Sequence, residues 1–110
     1  MPNNKFQTYK DRAGKFRFRL LAGNSQVILQ SEGYNAKAAC NNGINSVKKN
    51  GTNKDKFVIK ESKNGKHYFN LVAVNKEVIG SSQMYASRAT ARKGIASVMR
   101  NAKSPVEDIS

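Results

Sequence analysis

The sequence predicts an α+β fold in which two tandem copies of one β-rich, helix-ended unit share a core. Three observations predict it: a gap-free internal repeat, a change of hydrophobic period within each copy, and a length too short for two independent cores. A shift of 51 aligns residues 5–50 with 56–101, and eighteen of those 46 positions are identical. Among them are Phe6/Phe57, Gly14/Gly65, Phe18/Phe69, Leu20/Leu71, Asn24/Asn75, Ser31/Ser82, Tyr34/Tyr85, Gly43/Gly94, Ile44/Ile95 and Val47/Val98. At 110 residues the chain fits one domain. Two separate cores of about fifty residues each would be marginal. The assignment is therefore one domain, 1–110, built from repeats over about 5–53 and 54–110.

The elements follow in order. A first strand is expected near Phe6–Lys10 and Phe57–Glu61. Asn64-Gly65, with its counterpart Ala13-Gly14, predicts a two-residue hairpin turn after it. Phe16, Phe18, Leu20 and Ala22 then alternate with Arg17, Arg19 and Leu21, the pattern of a half-buried strand. His67, Phe69, Leu71 and Ala73 take the same face in copy two. A turn at Asn24 and Asn75 leads to a third strand, near Gln26–Gln30 and Glu77–Ser81.

The period then changes to 3.6. Ala91, Ile95, Val98 and Ala102 define one helix face, and Cys40, Ile44 and Val47 its counterpart. Asn35 and Ser87 are the expected N-caps. Tyr34 and Tyr85 are expected to pack against the helix starts as hydrophobic staples. Gly43 and Gly94 fall mid-helix, where Gly costs roughly 1 kcal/mol relative to Ala, so a close backbone approach, helix to sheet or helix to helix, is expected there. Ser31 and Ser82 read as turn or strand-end hydrogen bonders.

Composition bounds the function. Twenty Lys and Arg against seven Asp and Glu give a formal charge of +13, a field that attracts polyanions. The single cysteine, Cys40, forms no internal disulfide and reads as a core residue. MPNNKFQTYK lacks the apolar segment of a signal peptide. No apolar run approaches the ~18 residues of a membrane span. The expected place is a reducing cytoplasm.

The segments SEGYNAKAACNNGINSV (31–47) and SQMYASRATARKGIASV (82–98) resemble the YegP-like family of small bacterial proteins, catalogued as a domain of unknown function. KFRFRLLAGNSQVILQ and KHYFNLVAVNKEVIGS resemble the family's strand–turn–strand portion. The resemblance implies tandem β(3)-α-β motifs assembled into one antiparallel-rich sheet with two helices on it. It also implies exchange of the C-terminal strands, with the last strand near Val106–Ile109. The tandem chain would then be a monomer acting as a pseudo-twofold dimer. The resemblance implies no activity and carries over no site residues.

Catalytic constellations are scarce. His67 is the one histidine, placed on the core side of its strand, and it sits on a different element from Cys40. No nucleophile–base pair, metal cluster, paired carboxylates or phosphate loop is legible. Glu107 and Asp108 are adjacent but lie at the tail. No catalytic, metal or cofactor site is assigned, and no cofactor is expected.

Binding is easier to argue. Arg88, Arg92 and Arg100, with Lys103 and flanking Lys93, lie away from the apolar stripe of the second helix, and neither helix contains an acid. Lys15, Arg17 and Arg19 project from the outer face of their strand, where copy two has Lys66, Tyr68 and Asn70. A sheet face free of helices could stack bases and contact phosphates. Candidate nucleic-acid contacts are Lys15, Arg17, Arg19, Tyr68, Arg88, Arg92, Lys93 and Arg100. Against this, the basic positions repeat poorly between the copies, and charge runs usually form a solvated face. The leading reading is a non-catalytic binding or structural module of unknown target. The alternative is a basic nucleic-acid-associated protein. A third reading is an enzyme with a site at the repeat interface.

Overall fold

A computed structural model describes residues 4–110. Seven strands form one sheet: β1 (Lys5–Lys10), β2 (Phe16–Leu21), β3 (Val27–Gln30), β4 (Phe57–Glu61), β5 (His67–Val72), β6 (Val78–Ser81) and β7 (Val106–Asp108). Two helices follow the third strand of each copy, α1 (Lys37–Asn50) and α2 (Arg88–Asn101). The strand order is β4-β5-β6-β3-β2-β1-β7. Each copy is an antiparallel meander, and the meanders meet edge to edge at β3 and β6 through the pair Gln30↔Ser81.

Strand alternation sorts side chains onto two faces. Phe6, Phe18, Leu20, Leu29, Phe69 and Leu71 point to one face and pack with Cys40, Ile44, Val47, Ile95 and Val98 in a single cluster. Both helices therefore cover the same face. Burying each such side chain stabilises by roughly 1.5–3 kcal/mol, and neither copy closes this core alone.

The hairpin turns differ from the two-residue form expected. Asp11 N–H donates to Lys15 O and Gly14 N–H to Asp11 O, closing a three-residue loop with Gly14 at φ +81°. Ser62 and Lys66 close the same loop around Gly65 at φ +80°. This is a type I turn completed by a left-handed residue, the next most common hairpin form. Glycine takes that conformation without a Cβ clash. The loops from Ala22 to Gln26 and from Ala73 to Glu77 repeat the pattern, with Ser25 and Lys76 in the left-handed position.

The helix starts are unequal. Ser87 caps α2 and forms a reciprocal capping box with Thr90. In copy one the cap position is Ala36, which has no side-chain acceptor. Asn35 lies one residue too early and instead accepts from Lys15 Nζ.

Tyr34 and Tyr85 are not staples at the helix starts. Each ring stacks on a core phenylalanine, Phe18 at 6.4 Å and Phe69 at 6.2 Å between centroids. Each hydroxyl reaches the middle of its helix. A Cβ on Gly43 would lie 2.7 Å from the Tyr34 hydroxyl, and one on Gly94 would collide with that of Tyr85. The mid-helix glycines thus mark a close approach of a tyrosine side chain to helix backbone, and not the approach of backbone to backbone that was expected. Ser31 and Ser82 each accept from the amide of the same phenylalanine, Phe18 or Phe69, at 2.9 Å and donate to the next carbonyl.

Strand exchange is one-sided. β7 leaves copy two and adds parallel to β1 of copy one, pairing Phe6↔Val106, Gln7↔Glu107 and Thr8↔Asp108. No strand among the described residues performs the reverse exchange. The equivalent residues after α1 form a 3-10 turn at Lys54–Lys56 and run straight into β4. A segment that begins β4 cannot also lie beside it in parallel, because parallel neighbours need a long crossover. Where the copies meet, Leu29 faces Gly80, its counterpart in the repeat. A Cβ on Gly80 would lie 3.0 Å from Leu29 Cγ and from Gln30 O.

Candidate functional site

The helix-free face of the sheet is crossed by a row set by register. Val58, Asn70, Ser81, Gln30, Arg19, Gln7 and Glu107 stand abreast on the seven strands. Several of these side chains bond to one another. Ser81 Oγ donates to Asn70 Oδ1 at 2.7 Å, Arg19 Nε to Gln7 Oε1 at 2.9 Å, and Gln7 Nε2 to Glu107 Oε1 at 2.8 Å.

The sheet-face cations are engaged. Arg17 Nε lies 2.6 Å from Asp11 Oδ2 and its fork also reaches Ser31 O. Its guanidinium holds the Asp11 carboxyl below the usual carboxylate range, helped by the Lys15 and Ala13 amides. Arg19 stacks over the Tyr9 ring at 4.6 Å. Lys15 bonds Asn35. Tyr68 is half-buried beside Lys60 on β5 and β4. Because β6 and β3 separate β5 from β2, Tyr68 stands three strand spacings, about 14 Å, from the strand of Arg17.

Arg88, Arg92, Lys93 and Arg100 lie on α2, in the other layer. All four are exposed, and none makes an ion pair among the described residues. The eight candidate contacts therefore fall on two faces, and the structure does not bring them into one patch.

Cys40 and His67 are placed apart from these cations. Cys40 is fully buried on α1, and burial pushes its thiol above the usual value. Such a thiol is a poor nucleophile. His67 is half-buried at the start of β5, with Nε2 3.8 Å from Glu61 Oε1 and Nδ1 buried without a hydrogen bond. Burial likewise raises the Tyr34 and Tyr85 hydroxyls above their ordinary values.

The two outer edges differ most. On the β1 side, β7 covers the edge. Phe6 N–H donates to Pro105 O at 2.8 Å and Ile109 N–H to Thr8 O at 2.9 Å. Glu107 pairs with Lys5 at 3.1 Å, and Asp108 with Lys37 at the start of α1. Gln7 and Lys5 hold the Glu107 carboxyl, and Lys37 and Ser110 the Asp108 carboxyl, below the usual carboxylate range. Phe6 is 0% and Thr8 1% exposed as a result.

The β4 edge is the counterpart, and among the described residues β4 has a neighbouring strand on one side only. Phe57 and Ile59, equivalent to Phe6 and Thr8, remain half-buried. With Ile95, Ala96 and Met99 they line a groove of about 350 Å³ that Lys54 and Arg92 also border. Val58, beside them, is 42% exposed. Sequence reasoning missed this asymmetry. Its signal was the adjacent pair Glu107 and Asp108, whose role is to hold a strand, and the absence of a matching acidic pair after α1.

A model of the family described as "Domain of unknown function (DUF1508)" matches residues 11–57 and 62–108. The chain belongs to this family. The two DUF1508 matches reproduce the internal repeat. The chain is 52% identical over 97 residues to "UPF0339 protein in ptx operon 5'region" of Stutzerimonas stutzeri, covering 88% of this chain and 87% of the relative. It is 46% identical over 99 residues to "UPF0339 protein YegP" of Escherichia coli strain K12, covering 90% of each. The solution NMR structure of E. coli yegP, a protein of unknown function, superposes with a TM-score of 0.92 at 42% identity, covering 99% of this chain and 95% of that one. A UPF0339 protein of Shewanella oneidensis gives 0.90 at 42% identity, covering 96% and 91%. None of these relatives carries an enzyme's name. Among the described residues no helix is long and apolar enough to cross a membrane.

Proposed function

We propose that the chain is a non-catalytic binding module whose working surface lies on copy two, where α2 flanks the uncovered edge of β4. One observation carries this reading. The same edge in copy one is sealed by β7, while in copy two an apolar groove and a strand edge stay accessible. Exposed strand edges are templates for partner chains, and native proteins normally blunt them. The lone buried Cys40 suits the reducing cytoplasm expected for the chain, and the tandem copies suit a monomer.

Photocrosslinking tests the surface. A p-benzoylphenylalanine in place of Met99, beside the groove, is expected to give discrete adducts in cells. The same probe in place of Lys48, the equivalent position on α1, is expected to give none. Equal patterns from the two positions would remove the distinction on which this reading rests.

A second reading is favoured by the uncompensated cations of α2. Arg88, Arg92, Lys93 and Arg100 form a basic surface fit for phosphates, while Lys15, Arg17, Arg19 and Tyr68 stand apart on the sheet face, the three cations there already engaged. Titration with single-stranded RNA and DNA at low and near-physiological salt separates the cases. On this reading, binding survives physiological salt and falls when Arg92 and Arg100 are neutralised. Binding at low salt alone reduces the +13 charge to a general polyanion field.

A further inference from the structure

The geometry points to an extended acidic segment of a partner protein, with an apolar–acid–acid pattern, as the occupant of the β4 edge, where it adds as a parallel strand. This rests on the reading that the working surface is that of copy two. The chain itself displays what such an edge holds. The β1 edge is closed by Val106-Glu107-Asp108, in which Glu107 meets Lys5 and Gln7 on the sheet face and Asp108 meets Lys37 on the helix side.

The shift of 51 carries each of those cations to the open edge. Lys5 becomes Lys56 and Lys37 becomes Arg88. Both copies thus keep a cation on either side of the strand edge, and neither Lys56 nor Arg88 has an ion-pair partner among the described residues. Two cations flanking one strand edge match a peptide whose successive side chains, pointing to opposite faces, are both acidic.

Backbone pairing fits as well. In copy one the outer edge of β1 bonds through Phe6 N–H and Thr8 C=O. In copy two Phe57 N–H is already satisfied by Lys54 O within the 3-10 turn, in the place that Pro105 takes on β1. The rungs beyond it, at Phe57 C=O and at Ile59 N–H and C=O, face no strand among the described residues. They supply the ladder for a short segment, as in other strand-addition complexes.

The groove supplies the apolar anchor. Where copy one has Thr8 and Lys48 against the strand, copy two has Ile59 and Met99. A residue in the place of Val106 would enter apolar surroundings there. The preference is for protein over nucleic acid because pairing at a strand edge needs backbone amides, and because the cations straddle the edge instead of tracking along it.

The test uses a labelled synthetic peptide of sequence KSPVEDIS, this chain's own residues 103–110, titrated into the 15N-labelled full chain. Binding is expected to shift the Ile59 and Glu61 amide resonances. The double variant Lys56→Glu, Arg88→Glu is expected to bind at least about tenfold more weakly, since like charges then meet. A glutamate at the start of α2 is compatible with the helix dipole, so that variant should fold, and its spectrum elsewhere checks this. Lys5→Glu with Lys37→Glu should leave binding at β4 intact.

Four results would overturn the inference. The first is no binding at millimolar peptide. The second is shifts confined to β1, which would mean the peptide merely replaces β7. The third is movement of the Ile59 and Glu61 resonances with protein concentration alone, which assigns the edge to a second copy. The fourth is a single-stranded DNA 12-mer, and not the peptide, moving those resonances. If the peptide fails while Met99 still gives its distinct crosslinks, the acidic partner is wrong and the copy-two surface stands.

Discussion

Gly94 lies where the Tyr85 hydroxyl meets α2, and the Tyr85 ring in turn stacks on Phe69. An alanine there would gain about 1 kcal/mol in helix propensity. It would also force apart a tyrosine and a helix already in contact, an overpacking cost of typically 1–3 kcal/mol. The clash is with a ring wedged in the core, so the cost outweighs the gain. We expect Gly94→Ala to lower the unfolding free energy by a net of up to roughly 2 kcal/mol, read as a lower urea midpoint. Adding Tyr85→Phe should restore part of that loss, because it removes the atom in the way. The sequence announced this contact as a cost retained in both copies, but not its partner. Tyr34 and Tyr85 precede the helices by so little that a staple was the natural reading. The ring instead reaches along the helix to the glycine, and its length allows this.

At the scale of elements, β7 is a three-residue strand whose ladder is supplemented by side-chain charges at both of its acidic positions. Lys37 and Ser110 hold the Asp108 carboxyl below the usual carboxylate range, and Gln7 and Lys5 do so for Glu107. A lowered carboxyl stabilises at pH above its unfolded value, about 4, and that contribution is lost as the pH falls through the folded value. β7 should therefore fray in acid before the meanders do. Asp108→Asn should reproduce the fraying at neutral pH. Amide hydrogen exchange at Ile109, whose N–H donates to Thr8 O, reads it directly. We expect faster exchange there with little change in global stability, since both pairs are solvent-exposed and such pairs contribute little.

At the scale of the molecule, the repeat carried most of the fold into the sequence. The gap-free shift located six strands and two helices, because each copy repeats the same alternation and the same helical stripe. That the copies share one sheet was legible only through the family resemblance, and the order of the strands was not legible at all, since alternation does not say which edges meet. The unequal edges were not legible. They follow from the short link between Asn50 and Phe57, which leaves copy one no tail to give away. The candidate site was legible only as charge. That charge did not distinguish Arg17, tied to Asp11, from Arg88, which has no carboxylate partner among the described residues.

The seam between β3 and β6 has one more consequence. Leu29 and Gly80 occupy equivalent places and fit each other as knob and hole. Two first copies would press leucine against leucine at that point, and two second copies would leave a gap where both side chains are missing. The halves are thus non-interchangeable, a heterodimer whose subunits happen to share a peptide chain. Cut at the link and expressed as two polypeptides, each half would select the other over itself.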